Sequence, residues 1–355
     1  MKCIKFLISL NILLMMSSVN VSAAPLFTSN GGLSGRCKKL CRVLNVDDRV
    51  KTAEQFNDFF QRECLRPKGK ERWELYKLNI KIDDDDLDSI IDACEKLGML
   101  CDVHPRQSYC DYIVIFGTSC DSMRRSCEFV RNELMTIIKK NKNTRIYFLI
   151  GSRPLDPQID SKGIISDLEA RGFPCTEEYA ARVIWEKELS GRSVSCEFVS
   201  VDAKTLGKAP GELKRANTSD TVNKLLKEFS LKPGAMLAVS INPFIPFQHN
   251  VLRNHLADVK WFEGGGHLET VGYHINVKEY ISRMGKRRLV NVLLDNIARC
   301  AYEEMKQVRA NAKTGRRSAA KAKKNISASP DKARSGKANV ASAQASSAAE
   351  KSPDR

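Results

Sequence analysis

Four stretches of this chain place hydroxyl, amide or guanidinium groups directly after short apolar runs or at the start of a helical pattern. Phe116 is followed by Gly117-Thr118-Ser119-Cys120-Asp121, and Ile150 by Gly151-Ser152-Arg153-Pro154-Leu155-Asp156. Arg215-Ala216-Asn217-Thr218-Ser219-Asp220 opens a helical pattern, and Val239 leads into Ser240-Ile241-Asn242-Pro243, with Arg253 one helix later. A small-residue loop entering a helix lets backbone N–H groups approach a phosphate at the positive helix end. A guanidinium grips phosphate or carboxylate at two points. Arg153, Arg215 and Arg253 therefore stand, with Gly117, Thr118, Ser119, Gly151, Ser152, Asn217, Thr218, Ser240 and Asn242, as candidate ligands for a small anionic molecule, phosphate-bearing or nucleotide-like. Each has a plainer reading as well: a lone arginine forms structural ion pairs, and Asn217 and Thr218 suit a helix cap.

Acid–base candidates are sparse. His249, His255, His267 and His274 gather in the C-terminal third without metal-ligand spacing. Cys120, at a helix start after a strand, is the candidate nucleophile, since such a position lowers a thiol pKa. No GxGxxG, Walker, GxSxG or HExxH sequence occurs, so catalytic residues stay unassigned. Asp84, Asp86, Asp88 and Glu95 have the spacing of calcium-loop ligands, but Ser89 stands where that loop needs glycine. The acids suit a helix N-terminus better. No CxxC pair is present to anchor a zinc site.

The elements that must position these groups alternate from Asp111 onward. Residues 112–116, 146–150, 198–201 and 236–239 are apolar on both faces, as parallel strands between helix layers are, and 259–262 is a weaker fifth. Helical spacing falls at 123–139, 177–187, 221–229 and 247–256, and a last stripe runs over 289–305. This predicts an α/β fold over 111–308, a Rossmann-like parallel sheet of about five strands between helix layers. Ligands of such a sheet bind beyond the strand carboxyl ends, where the polar stretches lie. Residues 24–110 read as a small cysteine-rich all-α region, in which Thr52-Ala53-Glu54-Gln55 spells a capping box.

The first 23 residues carry two lysines, an apolar stretch and the small-residue ending Val21-Ser22-Ala23, the pattern of a cleaved secretory signal, with an uncleaved signal anchor as the alternative. This predicts export, to periplasm or exterior, with no membrane-spanning segment afterwards. Eleven cysteines follow the leader, and six of them, from Cys37 to Cys110, would staple the helical region in an oxidising compartment. The 355 residues, 42% apolar, carry a net charge of +16. Residues 309–355 hold twelve basic and three acidic side chains, among Ala and Ser with few large apolar residues. That composition predicts a disordered basic tail, suited to an anionic polymer or membrane surface or serving as a solubilising linker. A non-catalytic scaffold acting through this tail is the alternative to a ligand-binding pocket.

The order of motifs resembles the YdcF, SanA and ElyC family of bacterial proteins over about residues 111–305. The resemblance rests on Phe116-Gly117-Thr118-Ser119, then Gly151-Ser152-Arg153-Pro154-Leu155-Asp156, then the Glu-led helix at Thr176-Glu177-Glu178. Asn217-Thr218, Leu237-Ala238-Val239-Ser240, the helix bearing Arg253, and Leu294-Asp295-Asn296-Ile297-Ala298-Arg299 complete it. It implies a Rossmann-like fold, a role in envelope integrity or cell-wall and lipid-carrier metabolism, Glu177 as a further site residue, and S-adenosylmethionine or a phosphorylated compound as ligand. Thr118 and Ser119 replace two glycines of the family's loop, and Asn250 stands where the family has histidine.

Overall fold

The computed structural model describes residues 25–67, 75, 78–189, 192, 194–202 and 216–327, with side chains through 312. Two compact units divide the chain, Met1–Arg309 and Ala310–Arg355, and the sheet lies in the first. Strands β1 (Tyr112–Phe116), β2 (Arg145–Ser152), β3 (Glu197–Asp202), β4 (Ala235–Ile241) and β5 (His267–Tyr273) form one parallel sheet in the order β3-β2-β1-β4-β5. The chain winds outward from β1 through β2 to β3, then crosses to β4 on the other side of β1. Winding thus reverses between β1 and β4, and the crevice beyond their carboxyl ends is where open sheets hold ligands.

Helices α1 (Gly35–Val43), α2 (Ala53–Glu63) and α3 (Leu87–Lys96) precede the sheet. Between β1 and β2 run α4 (Cys120–Phe129), a π-helical turn at Val130–Leu134, and α5 (Met135–Lys140). Then come α6 (Lys162–Ala170) and α7 (Glu177–Leu189) before β3, α8 (Thr218–Phe229) before β4, and α9 (Ile245–Asp258) between β4 and β5. The last two are α10 (Val277–Met284) and α11 (Lys286–Ser327).

Side-chain alternation along the strands explains the layers. Ile113 and Ile115 join Ile146, Phe148, Leu237 and Val239 beneath α4, α5 and α7. Tyr112, Val114 and Phe116 join Tyr147, Leu149, Met236 and Ala238 beneath α8 and α9, where Leu225, Leu252 and Trp261 meet them. Each such aliphatic or phenylalanine side chain stabilises the fold by about 1.5–3 kcal/mol when buried. A third core packs Leu40, Phe56, Phe60, Ile90 and Leu97 against Leu289, Leu293, Ile297 and Ala301 of α11. The apolar stripe of α11 is therefore covered by α1–α3, and residues 24–110 share their core with the end of the α/β region. The Thr52 capping box is present: Thr52 Oγ1 accepts from Gln55 N and the Gln55 side chain accepts from Thr52 N, both at 3.2 Å.

Several expectations need correction. The fifth strand is His267–Tyr273, not 259–262. That earlier stretch is a turn in which Lys260 takes a left-handed φ of 58° while Val259 and Phe262 are exposed, a conformation no strand tolerates. Helices α6 and α10 were not expected. Leu168 is the only fully buried residue of α6, and α10 has none: its stripe of Val277, Tyr280 and Ile281 lies partly buried along the rim of the third core, over a span of only eight residues. Cysteine stapling is replaced by apolar packing: all eleven cysteines from Cys37 to Cys300 are free thiols, and Cys37, Cys41, Cys64 and Cys94 fill the third core as small hydrophobes. Asp84–Asp86 form a 3-10 turn leading into α3, which sets their charges at its positive end. The leader, 1–23, and residues 328–355 of the expected tail lie outside the described residues. No described helix is long and apolar enough to cross a membrane.

Candidate functional site

The carboxyl edge of the sheet is built from the loops after β1, β2 and β4. After β2 the guanidinium of Arg153 turns inward. Its Nη1 lies 2.7 Å from Asp160 Oδ2, its Nη2 3.1 Å from Asp160 Oδ1, and its Nε 2.9 Å from Glu177 Oε2. Arg153, Asp160 and Glu177 are all buried. Asp160 also accepts from the N–H of Cys120, the first residue of α4, at 3.1 Å and from that of Asp156 at 2.9 Å. Burial works against the Asp160 charge, but the Arg153 hydrogen bonds and the two backbone N–H groups outweigh it and hold its carboxyl below the usual range. Burial likewise opposes the Arg153 charge, and its two carboxylate partners reverse the balance.

An internal carboxylate thus occupies the place at the start of α4 where an anionic ligand was expected. Of the three arginines, Arg153 is committed to Asp160 and Glu177, and Arg215 lies outside the described residues. Arg253 sits eight residues into α9, about 12 Å along the axis from its start, exposed and beside His249 and Glu304. Of the two described arginines, Arg153 and Arg253 thus serve separate sets of partners.

The remaining candidates divide similarly. Gly117 leaves room for Glu177: a Cβ there would lie 2.5 Å from Glu177 Oε1. Gly151 faces Ala216. Ser119 precedes α4 and donates to Ser122 Oγ at 3.1 Å, and Ser152, partly buried, ends β2 beside Asp202. Exposed Asn217 caps α8, its Oδ1 accepting from Ser219 N at 2.8 Å and Asp220 N at 3.2 Å, with Thr218 as the first helical residue. Asn242 is fully buried, and its amide donates to the carbonyls of Gly98 and Cys101, tying the end of β4 to the N-terminal region. Cys120 is buried rather than activated. Desolvation first, then the Asp160 charge, push its thiol up to about 12. The nucleophile expectation fails because the helix end that would stabilise a thiolate already faces a carboxylate.

What the edge does form is a small cavity between β1 and β4, at the reversal of winding. It is lined by Phe116, Thr118, Ser126, Ser240, Ile241, Phe244 and Gln248 and has room for about one water molecule. Ser240 donates to the Gln248 side chain at its base. The helices on either side, α4 and α9, both begin here, and neither has a side-chain hydrogen bond from its own N-cap residue, Ser119 or Phe244. Of these two helix ends, that of α4 already meets the Asp160 carboxylate through the Cys120 N–H at 3.1 Å, which leaves the start of α9 as the positive end beside the cavity. Among the described residues, the lining side chains offer hydroxyl and amide groups and none is titratable. The fit to S-adenosylmethionine is poor: the cavity is far smaller than a nucleoside, and the buried acid near the end of β2, Asp160, is bound to Arg153 rather than offered to a ribose.

Ser126, Phe244 and Gln248 were not foreseen. Gln248 lies one turn into the helix that follows Ser240, a spacing readable in the sequence. Away from the cavity, Ser219 Oγ is hydrogen-bonded to His255 Nε2, and burial lowers the His255 pKa. Comparison with known proteins gives no matching family model, no matching curated protein and no matching solved structure.

Proposed function

We propose that this chain binds a small, phosphate-bearing ligand at the open mouth of the crevice between β1 and β4, outside the cavity that has room for about one water molecule, as an exported, envelope-associated relative of the YdcF-like proteins. The observation that carries the reading is a hydroxyl- and amide-lined cavity beside the start of α9, at the point where the winding of the sheet reverses. Such a mouth favours anionic oxygens, with Thr118 and Gln248 placed to hydrogen-bond them. Export rests on the leader pattern of residues 1–23, and the class of ligand to try first, cell-wall or lipid-carrier phosphates, rests on the family resemblance. A binding role suits a lining of hydroxyl, amide and apolar side chains.

The test is a thermal-shift panel of nucleotides, sugar phosphates, polyprenyl phosphates and S-adenosylmethionine on the chain and on Thr118→Val and Gln248→Ala. A stabilising ligand whose effect both substitutions weaken supports the reading. The twelve basic residues of 309–355 favour one further activity, attachment to an anionic polymer. Deleting them then removes polymer binding and its steep salt dependence, while leaving the pocket's response unchanged.

A further inference from the structure

The edge of the sheet opposite the crevice is formed by the residues that lead into each strand. Five large hydrophobic side chains are exposed among the described residues, and three of them lie at this edge: Tyr109 at 48%, Val259 at 53% and Phe262 at 39%. The edge is continuous. Asp111 Oδ2 accepts from Ala235 N at 2.8 Å, Arg145 N donates to Asp111 O at 2.9 Å, and His267 N to Gly234 O at 3.0 Å, which ties together the entries to β1, β2, β4 and β5. Residues 139–145 add four basic side chains and no acidic one, and Lys232 and Lys260 add two more, all exposed. We propose that this edge docks the protein on an anionic bilayer, with Val259 and Phe262 entering the headgroup region while Lys142, Arg145, Lys232 and Lys260 meet the lipid phosphates.

The turn that presents Val259 and Phe262 is firmly built. Trp261 between them is fully buried, its ring 5.6 Å from that of Tyr112, and a Cβ on Gly266 would run into its indole. Trp261 N donates to Leu256 O and Gly266 N to Trp261 O, each at 3.0 Å, and Lys260 takes its left-handed φ. Burying Trp261 in this way turns its neighbours outward. That fixes their direction but does not require them to be apolar, and the fold gives no reason for a valine and a phenylalanine there. The charges point the same way. Lys139 and Lys140 face the negative end of α5, whose last turn they occupy, whereas Lys142, Lys232 and Lys260 are loop residues. Lys39, Lys96, Lys187, Lys224, Lys286 and Lys306 are held in ion pairs, and none of the five lysines at this edge is, among the described residues. The acidic side chains here are Glu197, Asp258 and Glu263, together with Asp111, whose carboxylate is occupied by Tyr109 Oη and the Ala235 N–H. Apolar side chains set among cations complement a surface that is negative outside and hydrocarbon beneath. A polyanion in water offers charge alone and leaves Val259 and Phe262 without a role. Strands of this length put the crevice about 20 Å from the docked edge, so its mouth stays open.

The experiment measures co-sedimentation of the full chain with phosphatidylcholine vesicles, with and without phosphatidylglycerol. Binding is expected on the anionic vesicles and not on the neutral ones. Val259→Ser together with Phe262→Ser is expected to weaken it by about tenfold or more, through the loss of two inserted apolar side chains. Lys142→Glu with Lys260→Glu is expected to weaken it as well, more at low salt than at high. Phe173→Ser with Tyr302→Ser removes the other two exposed hydrophobic side chains and is expected to leave binding unchanged. A full chain that does not bind the anionic vesicles, or binds them equally well with serine at both 259 and 262, overturns the surface.

Insertion itself is read with Phe262→Trp, which reports one position and is indifferent to what residues 309–355 do. Against the three native tryptophans as background, anionic vesicles are expected to shift the added emission to the blue, and bromine-labelled lipid chains to quench it. Emission from a vesicle-bound chain that is neither shifted nor quenched overturns the insertion. Dextran sulfate, an anionic polymer without hydrocarbon, is expected to give no shift, and the same shift with it would assign the surface to polymers and overturn the bilayer. None of these substitutions touches the β1–β4 crevice, so this surface and the ligand reading fail separately.

Discussion

Glu177 fills the space beside the Cα of Gly117. A side-chain carbon on that glycine would stand 2.5 Å from Glu177 Oε1 and 2.8 Å from the carbonyl oxygen of Leu149. Backbone on one side and a buried, ion-paired carboxylate on the other leave little freedom to yield. Gly117→Ala is therefore expected to destabilise the chain by about 1–3 kcal/mol through overpacking. Urea unfolding measures it, and a midpoint equal to that of the unsubstituted chain would show that the loop relaxes freely.

Arg153 holds two buried carboxylates, so its removal leaves charges without a partner. Arg153→Met is expected to cost about 3–5 kcal/mol. Arg153→Lys should recover only part of this, because an ammonium cannot make the parallel contacts to both oxygens of Asp160 while also reaching Glu177. Unfolding midpoints at pH 7 distinguish the two, and full recovery by lysine would mean that charge alone, not the fork, holds the cluster.

The comparison between sequence and structure turns on these same residues. β1, β2 and β4 are legible because they are buried on both faces and read as unbroken apolar runs. The edge strand β5 reads His267-Leu268-Glu269-Thr270-Val271-Gly272-Tyr273, with partly exposed positions among buried ones, and gives no such run. The stripe on α11 is visible as a stripe, but periodicity names an apolar face and not its cover, which proves to be α1–α3. Arg153 directly follows β2, yet nothing local announces that Asp160, seven residues on, folds back to pair with it. That depends on the path of a turn. Arg253 was misplaced for a simpler reason: eight residues of helix at about 1.5 Å each carry it away from the rim.

Thiol reactivity follows burial rather than helix position. Cys101, Cys175 and Cys196 are partly exposed, whereas Cys37, Cys41, Cys64, Cys94, Cys110, Cys120, Cys127 and Cys300 are buried. Brief alkylation of the native chain, mapped by mass spectrometry, is expected to label sites within the first group and to spare Cys120 until the chain is unfolded. Rapid labelling of Cys120 would restore it as a candidate nucleophile and contradict the Asp160 contact at the start of α4.

Stability should carry two opposing pH dependences from one corner of the fold. Glu304 accepts from the N–H groups of Leu26 at 2.9 Å and Phe27 at 3.2 Å and from Asn250 Nδ2 at 3.4 Å. Burial nevertheless raises it from the ordinary 4.5 to about 7, with these bonds and the Arg253 charge pulling the other way. His249, whose Nδ1 lies 3.0 Å from Thr270 Oγ1, is lowered from 6.5 to about 4, first by burial and then by Arg253. For Glu304 the unfolded chain releases its proton first, so its contribution is present below about pH 4.5 and is lost as pH rises through about 7. For His249 the unfolded chain gains its proton first, so its contribution is present above about pH 6.5 and is lost as pH falls through about 4. Each is on the order of 3 kcal/mol over its window. Between these limits the slopes oppose one another, and each substitution should expose the other group. Glu304→Gln is expected to make stability rise more steeply with pH than in the unsubstituted chain, and His249→Gln to make it fall. Urea unfolding at intervals from pH 4 to 8 reads both. Parallel curves for all three chains would mean that neither group changes its proton affinity on folding.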